Sequence, residues 1–393
     1  MRILTVLTYY RPHTSGLTIY AERLAKALVR RGHEVTVLTS QFEKDLPLDE
    51  VQDGVHIKRV PVLFRISKGV IMPSIGVRSW QEVSAHDALL LHLPQFDAAG
   101  ISIRGRLLKK PTILIYHSDL TLPDGLFNRV VNMVVHLMNE IAARFSHRIS
   151  AYTEDFASHS PYLKRFPEKV VVNAPAVEIP QASSKQIEQF KTMHNPESRN
   201  PVIGMATRLA AEKGVEYLIG ALQRILAEFP NAKVLYAGQF EDVMGEEAYF
   251  EALRPEIEKY QAAGQWEFLG VLDMQHMAAF YNNIDVIVVP STNSTETFGF
   301  VQIEAMMNGR PSVASNLPGV RQPIKMSGMG RVTPIGDADA LADNIITVLK
   351  NRADYSGDVD KLHSDFSPET SAERHEALFL QIAKELGKNI KNS

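Results

Sequence analysis

"ILTVLTYYRPHTSGLTIYAERLAKALVRRGHEVTVLTS", residues 3–40, decides the fold by its alternation. "ILTVL" is a short apolar run of the kind a buried parallel strand shows. From Gly16 the apolar residues recur at helical spacing, and Gly32 stands where a helix-ending glycine belongs. "EVTVLTS" (34–40) then reads as a second strand. Strand, helix and strand in that order make a β-α-β unit with a right-handed crossover, the opening of a doubly wound α/β domain.

Working outward, further strands are expected at "HIKRVPV" (56–62), "ALLLHL" (88–93), "PTILIYHS" (111–118) and "HRISAYT" (147–153), completing a six-strand domain. The apolar helix "NRVVNMVVHLMNEIAARF" (128–145) lies between the last two and is expected to be a core helix. Its scattered basic residues leave a membrane-surface helix as the other reading. Across 173–200 the pattern dissolves into Pro, Ser, Gln and Asn, which places a linker at 179–199 after a first domain over 1–178.

The layout then restarts. Strands are expected at "PVIGMAT" (201–207), "AKVLYAG" (232–238), "WEFLG" (266–270), "DVIVVPS" (285–291) and "PSVASN" (311–316), with helical stretches between them. This alternation predicts a second Rossmann-like domain over 200–370. A polar C-terminal helix at 371–393 closes the chain and is expected to pack back toward the first domain.

Composition narrows the function. A chain of 393 residues is too long for one ordinary core, and 45% hydrophobic against 22% charged residues is globular. A formal net charge of −3 excludes a polycationic surface, so nucleic acid is not an expected partner. Zero cysteines exclude disulfides, thiolate metal sites and cysteine nucleophiles, in keeping with a cytoplasmic location. The first residues read as a strand and not as a signal peptide, and no apolar run approaches the ~20 residues that span a bilayer.

The chemistry gathers at "STNSTETFGFVQIEAMMNGRPSV" (291–313), where Glu296 and Glu304 stand eight positions apart. With "DVIVVPS" as a strand and "GFVQIEAMMNG" as a helix, Glu296 lies in the loop at the strand's carboxyl end and Glu304 lies inside the helix. The N–H groups of Phe298, Gly299 and Phe300 are expected to be free at the helix start, an anion site that glycine lets a phosphate approach closely. "ATRLAAEKG" supplies Arg208 and Lys213 from the loop after the domain's first strand, on the same sheet edge. A planar fork and a mobile point charge together suit a diphosphate. Glu304 would accept from ribose hydroxyls, and Glu296 from hydroxyls of whatever the diphosphate carries. Taken singly, each of these residues reads more simply: a glutamate at a helix start serves the dipole, and Arg208 and Lys213 are solvated charges.

In combination, "PSTNSTETFGFVQIEAMMNGRPSVAS" (290–315), "TRLAAEKG" (207–214), "FLG" (268–270) and "YYRPHTSGLTIYAERLAKALVRRGHEVTVLT" (9–39) resemble the retaining family 4 glycosyltransferases. The resemblance covers nearly the whole chain. It implies the GT-B fold, two Rossmann-like doubly wound domains facing a central cleft. It assigns Glu296 to the donor sugar, Glu304 to the ribose, and Arg208 and Lys213 to the diphosphate. Gly16 matches the second glycine of that family's Gly-Gly loop near the donor phosphate, with Ser15 in place of the first. His117, in "YHSD", matches a histidine pointing into the cleft near the donor sugar, and Asp119 on the same loop is a candidate for acceptor binding. Base contacts are expected from the backbone near Gly270 and Val271.

The implied reaction moves a hexose from a UDP-, GDP- or ADP-sugar to a hydroxyl acceptor with retention of configuration. The leaving diphosphate, stabilised by Arg208, Lys213 and backbone N–H groups, takes the acceptor's proton on the same face. A glycosidase pair of carboxylates is the tempting misreading, because Glu304 should sit a diphosphate away from the anomeric carbon. No metal is expected: "DAD" (337–339) reads as an acidic helix start, "DVD" (358–360) lies in a polar region, and the thirteen histidines show no zinc spacing. No G-x-G-x-x-G follows either domain's first strand, which disfavours a dehydrogenase. A non-catalytic sugar-nucleotide-binding partner subunit and a GT-B-fold epimerase stay as alternatives. "HLPQFDAAG" (92–100) and "YHSDL" (116–120) resemble members that build bacterial surface polysaccharides, pointing to a saccharide, glycolipid or polyprenyl-linked acceptor, with a peripheral place on the inner membrane face left open.

Overall fold

The computed structural model describes residues 1–66, 69–119 and 125–388. The chain divides into two compact units, Met1–Val177 with Phe366–Ser393, and Glu178–Asp365.

In the first unit the strands are β1 (Arg2–Val6), β2 (Glu34–Gln41), β3 (Asp49–Gln52), β4 (Val55–Pro61), β5 (Phe64–Ile66), β6 (Gly69–Ile71), β7 (Ala88–Leu93), β8 (Thr112–Tyr116), β9 (Arg148–Ala151) and β10 (Val170–Val172). Eight of them form one sheet in the order β10-β9-β8-β7-β1-β2-β4-β3, while β5 and β6 pair as a separate hairpin. Every neighbour in the sheet is parallel except β3 against β4. The order reverses between β1 and β7. Ser15 caps the Gly16–Arg30 helix by accepting from the Thr18 N–H at 3.2 Å, and Gly32 ends it with φ +85°.

The six-strand expectation is thus corrected to eight. The additions are edge strands: β3 is the polar "DEVQ" with three of its four residues exposed, and β10 is three residues long. Neither has a buried face to leave a period in the sequence. The C-terminal helix runs Pro368–Glu385, and residues 389–393 of the expected 371–393 helix lie outside the described residues. It packs on the Gly16–Arg30 helix and buries Phe379 and Ile382 completely. Each such side chain contributes roughly 1.5–3 kcal/mol of burial.

The core-helix expectation for 128–145 is also corrected. The helix spans Leu126–Phe145 and buries Asn139, Ala142 and Ala143 in its second half. Leu126, Phe127, Val130, Met133, Val134 and Leu137 form an exposed stripe along its first half. Their spacing keeps them on one face. No helix among the described residues is long and apolar enough to cross a membrane.

In the second unit the strands are β11 (Val202–Ala206), β12 (Lys233–Ala237), β13 (Trp266–Gly270), β14 (Val286–Val289), β15 (Ser312–Ser315) and β16 (Gly330–Thr333). All are parallel, in the order β13-β12-β11-β14-β15-β16. β16, the glycine-led "GRVT" on the sheet edge, is the strand that periodicity does not announce. The order reverses between β11 and β14, where Ile203 pairs with Val286. In an open parallel sheet the loops leaving such a reversal diverge and open a crevice at the carboxyl edge.

Candidate functional site

Two loops leave that reversal: 207–214 after β11 and 290–299 after β14. They are laced together. Thr292 N–H donates to the Glu212 carbonyl at 2.9 Å, and the Thr292 hydroxyl reaches the same oxygen at 3.4 Å. Gly214 is left-handed at φ +68°, and a Cβ there would lie 2.2 Å from the Pro290 carbonyl oxygen. Only glycine allows the loops to approach this closely.

The lacing brings Lys213, Glu296 and Gly299 together, with Arg208 and Glu212 paired on the same loop as Lys213. Lys213 Nζ lies 2.8 Å from Glu296 Oε2, with both side chains mostly buried. Glu296 Oε1 accepts from the Gly299 N–H at 3.1 Å. The expectation of a free Gly299 amide is therefore corrected: the carboxylate three residues earlier reaches back and caps it, as acidic side chains do at helix starts. Arg208 forms an ion pair with Glu212, four residues on. Glu212 is a site member that residue-by-residue reasoning passed over, although the i,i+4 spacing in "RLAAE" carries the signal.

Gly299, at φ +76°, opens the Phe300–Met307 helix. Beneath it the fully buried Gln302 donates to the Val320 carbonyl at 2.9 Å and accepts from Ser312 Oγ at 3.0 Å, clamping the helix start to β15. Phe298 is buried, and its ring meets that of Phe300 edge-on at 5.7 Å. One turn into the helix, Glu304 Oε2 accepts from the hydroxyl of buried Tyr281 at 2.8 Å. Tyr281 is the second residue passed over; its place on a helix ending just before β14 gives no local sign of it. Gly270, at the end of β13, accepts from the Gly238 N–H at 2.7 Å, and Val271 beyond it is exposed.

A pocket of about 410 Å³ in this unit lies elsewhere. Lys191, Arg199, Asp285 and Arg310 line it at the opposite, amino edge of the sheet, and it holds none of the residues above. The acid pairs 337–339 and 358–360 serve helix starts: Asp337 accepts from Ala340 N–H and Asp358 from Lys361 N–H, each at 2.9 Å. Among the described residues no group of three or more acidic, histidine or cysteine side chains is gathered to hold a metal ion.

In the first unit, Gly16 begins the helix after β1 and its missing side chain faces open space, with nothing within 4 Å of a built Cβ. The fold itself therefore does not demand glycine there. Tyr20, one turn on, packs edge-to-face on the ring of His117 at 5.4 Å. His117 itself is enclosed: Nε2 lies 2.8 Å from Nδ1 of His92, and Nδ1 meets the Tyr152 hydroxyl. Burial pushes its pKa down to about 3 and raises that of Tyr152 well above the ordinary phenol value. At neutral pH the imidazole is uncharged and the phenol keeps its proton. Asp119, on the same loop, accepts from Tyr116 Oη at 2.8 Å and Ser160 Oγ at 2.7 Å.

The two halves match known sequence families. Residues 186–367 match "glycosyl transferases group 1", and residues 15–176 match "glycosyl transferase 4-like domain". A glycosyltransferase of Methanocaldococcus jannaschii is 27% identical over 89% of this chain and 90% of its own length. Phosphatidyl-myo-inositol mannosyltransferase of Mycolicibacterium smegmatis is 25% identical over 90% of this chain and 87% of its own. In three dimensions, HepE of Anabaena, solved in complex with UDP, superposes with a TM-score of 0.75 at 20% identity, covering 98% of this chain and all of that one. Sucrose-phosphate synthase of Thermosynechococcus elongatus superposes at 0.73 and 18% identity, covering 98% of each chain.

Proposed function

The chain belongs to the family 4 glycosyltransferases of GT-B fold and is a nucleotide-sugar-dependent transferase, and we propose that it moves a hexose with retention of configuration, the donor lying at the β11/β14 reversal. The observation that carries this reading is the Lys213–Glu296–Gly299 cluster beside Arg208. Lys213 and the Gly299 amide meet at Glu296 on the laced loops, and Arg208 stands on the same loop as Lys213, an arrangement suited to a diphosphate.

In this reading Arg208 and Lys213 hold the diphosphate, with the backbone at Phe298, Gly299 and Phe300. Glu304, aimed by Tyr281, accepts from the ribose; Glu296 accepts from the sugar's hydroxyls; the backbone of Gly270 and Val271 meets the base. The bond from the anomeric carbon to the diphosphate oxygen breaks as the acceptor oxygen bonds to that carbon from the same face. The acceptor's proton passes to the departing diphosphate, whose growing charge Arg208 and Lys213 balance. No metal is needed for that balance.

His117 contributes as a neutral, fixed ring and not as a proton donor, since its burial keeps it uncharged. The unfilled space at Gly16 supports a close approach of ligand to that helix start. We place Asp119 as a brace of the His117 loop, because both its neighbours hold one carboxylate oxygen.

The acceptor is lipid-borne in this proposal. The exposed stripe from Leu126 to Leu137 supports a protein that rests peripherally on a bilayer, with Arg129 on the same helix available to anionic headgroups. The mycobacterial relatives named for phosphatidyl-myo-inositol agree with that class. Titration calorimetry against UDP, GDP and ADP in the presence of chelator tests the donor reading. Micromolar binding of one of them is expected, and absence of binding to all three, with or without magnesium, refutes it.

A further inference from the structure

At the β11/β14 reversal Arg208 and Lys213 each already have an anion. Arg208 is paired with Glu212, and Lys213 with Glu296, whose second oxygen also takes the Gly299 amide. These are the donors assigned above to the diphosphate, so the inference rests on that assignment. We infer that Glu212 and Glu296 occupy the phosphate positions when the site is empty, and that this competition sets a preference for the sugar-bearing donor over the nucleoside diphosphate left after transfer.

The two carboxylates compete differently. Glu212 is fixed through its main chain, because its carbonyl holds Thr292. Its side chain can leave Arg208 without unlacing the loops, and displacing it costs the same whether or not a sugar is attached. Glu296 has a second use. When a sugar is present, the displaced carboxylate finds hydroxyl donors in exchange for Lys213 and the Gly299 amide. Once the sugar has gone to the acceptor, those hydroxyls are absent and the only compensation is to return. The returning carboxylate takes the cation and the amide from the product, which hastens its release. Both side chains of the Lys213–Glu296 pair are mostly shielded, at 15% and 20% exposure, so the competition is only partly screened by salt.

The experiment compares wild type, Glu212→Gln and Glu296→Gln in calorimetric titrations with UDP, GDP and ADP and with UDP-glucose, GDP-mannose and ADP-glucose. Glu212→Gln should tighten the bare diphosphate and its sugar conjugate alike by about fivefold, the size of one part-exposed ion pair removed from the competition. Glu296→Gln should tighten the bare diphosphate and weaken the conjugate, reversing their order. A purely structural role for these carboxylates predicts the opposite, a looser loop and weaker binding of both. If wild type binds a diphosphate and neither variant tightens it, the inference is overturned and the donor site stands. Absence of binding by wild type overturns both. Melting temperatures of each variant establish that a loss is not unfolding, and either variant alone decides the question for its own carboxylate.

Discussion

The hydroxyl of Tyr281 donates to Glu304 Oε2 across 2.8 Å, joining the helix that precedes β14 to the one that follows it. Glu304 is thereby held in one orientation by a side chain that is itself fully buried. Tyr281→Phe keeps the ring and removes only that donor. Nucleoside-diphosphate affinity should fall about tenfold, the worth of one hydrogen bond to a charged group at its lower end, about 1.5 kcal/mol, with little change in melting temperature. Glu304→Ala should weaken binding further. Unchanged calorimetric affinity in Tyr281→Phe would show that Glu304 needs no such aim.

His117→Ala should separate two properties. It deletes a buried ring and the partner of both His92 and Tyr152, costing about 2 kcal/mol or more of stability in the first unit. Nucleotide binding should survive, because the diphosphate residues belong to the other unit, while transfer is lost. Tyr152→Phe is the milder test. It should lower kcat and leave the donor KM in place, and full turnover in that variant would remove the fixed-ring role.

Acid should act first on the N-terminal unit. Burial lowers the pKa of His117 to about 3 and of His147 and His375 to about 4, and holds His92 well below the ordinary 6.5. In the unfolded chain these groups protonate near 6.5, so the unfolded state binds more protons as pH falls. The stability gained by keeping them neutral is complete above about pH 6.5 and drains away toward pH 3–4. Calorimetric scans from pH 7.5 to 4 should show a falling melting temperature, with a shallower slope in His375→Gln.

Met133→Glu with Leu137→Glu places two charges on the exposed stripe. Both side chains are more than half exposed, at 69% and 51%, so folding should be unaffected to within about 0.5 kcal/mol. Co-sedimentation with vesicles containing anionic lipid should fall at least tenfold. Equal sedimentation of wild type and variant would remove the bilayer from the acceptor proposal.

Much of this molecule is legible in its sequence because parallel sheets simplify the reading. Once "ILTVL" and "DVIVVPS" are strands, every loop that follows a strand lies on the carboxyl edge, and Arg208, Lys213, Glu296 and Glu304 become neighbours without any knowledge of side-chain positions. What stayed hidden are the pairings. Whether Glu296 binds a ligand or caps Gly299 depends on a rotamer and not on spacing. Tyr281 meets Glu304 across two elements, and His92 meets His117 across two strands, distances that no local pattern encodes. The exposure of Met133 and Leu137 was equally unreadable, since the same apolar period would serve a helix covered by a neighbour or one left bare. β3 and "GRVT" escaped because each is a four-residue edge strand with too few buried side chains to leave a period.

The first unit includes the last helix, and that has a consequence in time. A ribosome delivers residues 1–177 long before Phe366 and Phe379, two side chains the folded unit buries almost completely, and long before His375, which meets Asn173 at 2.9 Å. The domain synthesised first is therefore the last to be completed. During translation it waits with an open seam on the Gly16–Arg30 helix while the Glu178–Asp365 unit emerges whole and folds. Chaperone dependence, the penalty for a stop codon a few turns early and the tolerance of a carboxyl-terminal fusion should all trace back to that seam.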